Sequence, residues 1–214
     1  MEFNEVAAMD SRAARSMLFD VIGQSHTTAI CSELTARSML FDVIGQSREM
    51  YEDHAARQIK ALLSRIDADL LNASSPEHNC FTLLTAASRF GTPVVLETIL
   101  ADTRVNPDQK DGQGDLPLLG VLFTTVCPID NMPYAASQRK ILALTRAGAD
   151  IHAIGTNPFE KDEPHEISPI AFAEKYRSVG GFVTDLPGQM REAYEQARQN
   201  KTSIKKESNI NAYT

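Results

Sequence analysis

The sequence predicts an all-α fold, a helical solenoid of stacked helix–turn–helix units with helices capping its two ends. Three observations carry this. Between Arg48 and Asn72 the apolar residues Tyr51, Ala55, Ile59, Leu62, Leu63, Ile66, Leu70 and Leu71 recur at helical spacing among charged residues, with no Pro or Gly inside. Three short lines, Thr82-Leu-Leu-Thr-Ala-Ala87, Leu116-Pro-Leu-Leu-Gly-Val121 and Ser168-Pro-Ile-Ala-Phe-Ala173, each open a further helical pattern. The first two begin 34 residues apart, a period proper to a repeat architecture.

Taken in order, residues 1–47 form a duplicated short-helix segment. Ala14-Arg-Ser-Met-Leu-Phe-Asp-Val-Ile-Gly-Gln-Ser25 recurs without a change as Ala36–Ser47. Met17, Leu18, Val21 and Ile22 of the first copy share one helical stripe, and Gly23 or Gly45 follows where a C-cap belongs. Identity at every position, polar ones included, marks a tandem duplication; the copies read as duplicated helices or as two equal docking faces. Residues 48–78 hold one amphipathic capping helix, which Asn72-Ala-Ser-Ser-Pro76 ends. Residues 79–198 hold three repeats, 79–107, 108–152 and 153–198. A helix from Gly188 to Asn200, striped by Met190, Ala193, Tyr194 and Ala197, closes that end of the stack. Residues 199–214 are polar, lack periodicity and read as a disordered tail.

The three lines resemble the Thr-Pro-Leu-His-x-Ala signature of the ankyrin-repeat family, in which Pro starts the first helix of each unit. Other positions agree with the resemblance. Gly91 stands between two helical patterns, Ala147-Gly-Ala-Asp-Ile151 is similar to the line that closes a repeat, and Asp111-Gly-Gln-Gly114 is similar to the turn at the tip of a finger. Departures are equally plain. Thr85, Leu119 and Ala171 stand where the family has the His that ties neighbouring repeats, and Val121 replaces a small Ala. Relative to the family period, extra residues fall in two stretches, Val126–Tyr134 and Ile154–His165, both rich in Pro, Asn and Asp.

The chain has 214 residues, 43% of them hydrophobic, enough for a packed core. It carries 21 Lys and Arg against 28 Asp and Glu, a net charge of −7, and only the tail is basic. A nucleic-acid binder or an anionic-membrane binder needs a basic face, so neither partner is expected. The longest apolar run, Leu116–Phe123, is far too short to span a bilayer. The N-terminus lacks the basic and apolar regions of a signal peptide, and Cys31, Cys80 and Cys127 are odd in number and widely separated. These features point to a cytoplasmic, reducing setting. Degenerate ankyrin proteins include effectors that bacterial pathogens pass into host cells, and a short chain with a basic tail is compatible with that class.

Catalytic motifs are missing from the sequence: no phosphate loop, no Gly-x-Ser-x-Gly, no His-Glu-x-x-His. No cofactor or metal is expected. The best nucleophilic constellation is Cys127 with His152, oriented by Asp130, and nothing basic flanks Cys127 to lower its pKa. The resemblance implies instead a non-catalytic module that grips a protein partner, one with a basic patch, through its fingers and concave face. On that basis the contacts are Arg89 and Phe90 near the end of an inner helix, Gln109, Lys110, Asp111 and Gln113 in the first finger, and His152, Ile154 and Phe159 in the second. Tyr134 joins Phe90 and Phe159 as an aromatic anchor. The alternative is an enzyme whose active residues lie in the inserted loops or the N-terminal segment, with His152, His165 and Cys127 converging on one pocket.

Overall fold

A computed structural model describes residues 33–127, 133–157, 166–177 and 185–211, with backbone alone for 33 and 204–211. Nine α-helices are found among them. They are α1 (Glu33–Gln46), α2 (Glu52–Leu63), α3 (Ala68–Asn72), α4 (Leu83–Phe90), α5 (Pro93–Leu100), α6 (Pro117–Val126), α7 (Tyr134–Arg146), α8 (Pro169–Lys175) and α9 (Leu186–Asn211). Two short strands, β1 (Gly155–Thr156) and β2 (Glu166–Ile167), pair antiparallel with Gly155 opposite Ile167 and Thr156 opposite Glu166.

The helices stand in two rows. One row runs α1, α4, α6, α8, and each member packs on the next; the other runs α2, α5, α7, α9 in the same manner. Cross-contacts join α1 to α2, α4 to α5, α6 to α7 and α8 to α9, so the unit is four helix pairs in succession. The core lies between the rows. It is filled by Leu40 and Ile44 of α1, Ile59 of α2, Leu83 of α4, Leu96 and Ile99 of α5, Leu118 and Leu122 of α6, Ile141 and Leu144 of α7, Phe172 of α8 and Met190 of α9. No pair could bury its apolar face alone, so each is stabilised chiefly by its neighbours.

Local chemistry explains most helix starts. Thr82, Thr92 and Ser168 accept from the backbone N–H groups of Thr85, Val95 and Ala171, at 3.0, 3.4 and 3.3 Å, and so cap α4, α5 and α8. Pro93, Pro117 and Pro169 occupy the first turn, where a missing N–H is harmless. Gly91 separates α4 from α5 by close approach: an added Cβ would lie 2.8 Å from the Ala87 carbonyl oxygen. Gly148 ends α7 at φ +93°, the left-handed conformation expected for the Gly-Ala-Asp line, and the Ala149 N–H then reaches the Leu144 carbonyl at 3.1 Å.

The structure departs from the sequence reading in three places. The helix expected over 48–71 is two helices: α2 stops at Leu63, and Asp67 caps α3 by accepting from the Leu70 N–H at 2.7 Å. Its apolar spacing persists because Ile66, in the turn, is itself buried. Gly45 lies inside α1 rather than after it, and Ser47 closes the helix with its hydroxyl on the Ile44 carbonyl, 2.7 Å away. The tail expected to be disordered continues α9 as far as Asn211. Nothing after Gly188 breaks a helix, and Lys, Gln, Glu and Arg favour one without burial. The first duplicated copy, 14–25, lies outside the described residues.

Candidate functional site

Three stretches are tied to one another along the stack: residues 73–82 before α4, 101–116 between α5 and α6, and 147–157 after α7. Their stems are tied by side-chain-to-backbone bonds. Asn72 accepts from the Asn106 N–H at 2.7 Å and donates to the Arg104 carbonyl at 2.8 Å. One step on, Asp108 accepts from the Asp150 N–H at 2.7 Å, and burial pushes its carboxyl pKa up. Their tips are tied as well. The Gly112 N–H donates to the Cys80 carbonyl at 2.8 Å, the Gln113 amide donates to the Asn79 carbonyl at 3.1 Å, and the Thr156 hydroxyl reaches the Gln113 carbonyl at 3.5 Å.

Glycines make this close packing possible. A Cβ on Gly112 would sit 2.7 Å from Cys80 Cβ, and one on Gly155 would sit 2.6 Å from Leu119 Cδ1. The middle tip turns on Asp111, which is buried. Its carboxylate accepts from the N–H groups of Gln113 and Asp115 at 2.9 and 3.0 Å, while Gly114 takes φ +84°.

The expected contact residues fall into three groups. Lys110, Gln113, His152 and Ile154 are exposed on the second and third loops, Ile154 at 43%. Gln109 is half-buried beside them, bonded to the Lys110 carbonyl at 3.2 Å. Asp111 organises its turn from within. Arg89 and Phe90 belong to internal packing: Arg89 forms an ion pair with Asp115 and lies 5.0 Å over the Phe81 ring and 5.8 Å over that of Phe123. Phe90 is half-buried with its ring 5.8 Å from Phe81. Tyr134 opens α7, half-buried, and burial raises its hydroxyl pKa. Phe159 lies outside the described residues.

His152 is exposed; its backbone N–H donates to the Asp150 carboxylate at 2.9 Å and its ring meets the edge of Tyr194 at 5.8 Å. Cys127 is exposed at the end of α6; Asp130 and His165 lie outside the described residues. Among the described residues no group of three His, Cys, Asp or Glu could hold a metal ion, and no helix is long and apolar enough to cross a membrane. A depression of about 80 Å³ is lined by Gly148, Asp150, Tyr194, Ala197, Arg198 and Lys201. Burial and the bond to Asp150 raise the Tyr194 pKa there.

Sequence reasoning missed the groups that hold successive pairs in register. Lys140 of α7 is fully buried and donates to the Ser88 and Gly91 carbonyls at 2.5 and 3.2 Å; burial, with a smaller effect of Arg48, lowers its pKa from 10.5 to about 7. Arg104 donates to the Leu63 and Ile66 carbonyls at 2.8 and 2.6 Å and pairs with Asp102, whose pKa that bond lowers. The bonds to these carbonyls span 38 to 52 residues of sequence, so no local pattern announces them. Models of known protein families and the curated proteins give no match to this chain.

Proposed function

We propose that the chain is a non-catalytic interaction module of ankyrin type, binding a partner protein through its second and third loops. The observation that supports this most is the lateral bonding of three successive loops. Helix pairs at regular steps present a row of tips tied to one another through Cys80–Gly112, Asn79–Gln113 and Gln113–Thr156. A row held in this way displays Lys110, Gln113, His152 and Ile154 with little conformational freedom left to lose on association. Ile154 supplies apolar area amid polar neighbours, the pattern of an interface anchor. The acidic balance of the chain favours a partner with a basic patch.

The test compares the wild-type chain with the double variant Lys110→Glu, Ile154→Asp as bait in affinity capture from lysate. Circular dichroism checks that both are equally helical. A protein retained by the wild type and lost by the folded variant supports loop-centred recognition and identifies the partner. Equal retention by both removes the second and third loops from the recognition surface.

A further inference from the structure

The depression of about 80 Å³ beside Gly148 is built from groups that attract a cation. Gly148 follows the cap of α7, so the carbonyl end of that helix, with its partial negative charge, borders the site. Asp150 lines it, and Asp108, which accepts the Asp150 N–H at 2.7 Å, sets a second carboxylate beside the first. Burial and the charge of Asp150 push the Asp108 pKa up, while the Asp150 N–H and Lys201 pull it down. Tyr194 adds an aromatic wall, its ring 5.8 Å from that of His152 and its centre 5.8 Å from the Arg198 guanidinium.

The chain fills this place with an ammonium of its own. Lys201 lies so close to Gly148 that a Cβ there would meet its Nζ, and its Cε at 2.8 Å. Little holds it: Lys201 is exposed, and Ala197 is the last buried residue of α9 among those whose side chains are described. A helix end without buried side chains opens at small cost.

We propose that this depression is the seat for a lysine side chain of the partner, and that Lys201 occupies it in the free chain. The proposal rests on the reading of the chain as an interaction module, and gives the basic patch of the partner one defined point of attachment. His152, against Tyr194, and Ile154 are exposed on the loop that borders the seat, so a lysine held there brings its neighbours onto them. The incoming ammonium replaces Lys201 rather than joining it, and Arg198 stays with Glu195, 3.4 Å away. A seat that Lys201 holds about nine-tenths of the time binds an outside lysine about ten-fold more weakly.

The experiment titrates the full chain, isotope-labelled, with the peptide acetyl-Gly-Lys-Gly-amide and follows the amide shifts of Gly148, Ala149 and Asp150. The control peptide has norleucine in place of lysine. Wild type is compared with Lys201→Met and with Lys201→Met carrying Asp150→Asn, which keeps an oxygen for the His152 N–H and removes only the charge. Circular dichroism checks that all three are equally helical. The expected result is lysine binding about ten-fold tighter in Lys201→Met than in wild type, and lost again in the double variant. Equal affinity in wild type and Lys201→Met overturns the proposal, as does equal response to the norleucine peptide or no shift at all. The titration needs no partner, so its failure strikes the seat alone, whereas failure of the capture experiment strikes the loop reading alone.

Discussion

Lys140 puts an ionisable amine where water cannot reach it, and that makes the stability of the fold depend on pH in the alkaline range. Its ammonium bonds two carbonyls at the C-terminal end of α4, where the helix dipole favours a cation, yet no carboxylate pairs with it in these bonds. Burial dominates and lowers its pKa from 10.5 to about 7. Between those two values the unfolded chain holds a proton that the folded chain has released. Stability therefore rises as pH rises from 7 to 10.5, by at most about 1.4 kcal/mol per unit and about 5 kcal/mol in all. Lys140→Met keeps the length of the side chain and removes the titration. The assay is urea unfolding of wild type and variant from pH 7 to 9.5, taking the difference at each pH so that every other titrating group cancels. The wild type gains about 3 kcal/mol relative to the variant across that range. A difference that stays flat within about 0.5 kcal/mol refutes the reasoning and means that the two carbonyls fully offset the burial of the charge.

Three further outcomes follow from single contacts. Arg89→Met leaves the Asp115 carboxylate buried without its partner, at a cost of about 3 kcal/mol at pH 7; the loss shrinks near pH 4 as that carboxyl, whose pKa burial already raises, takes up a proton, so unfolding at both pH values checks it. Gly148→Ala forces a Cβ into a left-handed position facing Lys201, which costs about 1–2 kcal/mol and several degrees in a thermal melt. Gly155→Val pushes β1 off Leu116, which precedes α6, and Leu119 within it, so hydrogen exchange at Thr156 and Ile167 should accelerate while α2 and α5 keep their protection.

How far the sequence revealed the molecule can be read from particular residues. Helix starts with a local signal were legible: Thr82 and Ser168 as caps, Pro117 and Pro169 as first-turn residues, Gly148 as a left-handed exit. The break between α2 and α3 was hidden because Ile59, Leu62, Leu63, Ile66 and Leu71 are all buried, so the apolar spacing runs through the turn; Asp67 was the missed signal. The extension of α9 was hidden for the opposite reason. With no apolar stripe beyond Ala197, helix propensity was the sole indication. In the candidate site, Lys110, Gln113, His152 and Ile154 were expected from the resemblance to ankyrin fingers. The inward commitment of Arg89 and Asp111 was not, since their surroundings come from turns and helices distant in sequence or from backbone geometry that composition does not encode.

Thr85, Leu119 and Ala171, the third residues of α4, α6 and α8, differ from one another, and so do the ties between pairs. A uniform side chain at a uniform position would make each pair interchangeable with the next. Here the step from the first pair to the second rests on Arg104, Asn72 and Ser47; the next rests on Lys140, on Arg89 with Asp115, and on Asp108. Each tie reaches backbone or charge at one site only, so each pair has its own fixed neighbour and cannot slip along the stack. Arg89, Asp111 and Asp115 join this scheme where the middle loop meets the first turn of α6. The loop that carries Lys110 and Gln113 is therefore positioned by the same buried charges that set the register of the helices. Removing Arg89 should loosen that loop as well as weaken the fold, which places the binding reading and the stability reading on one residue.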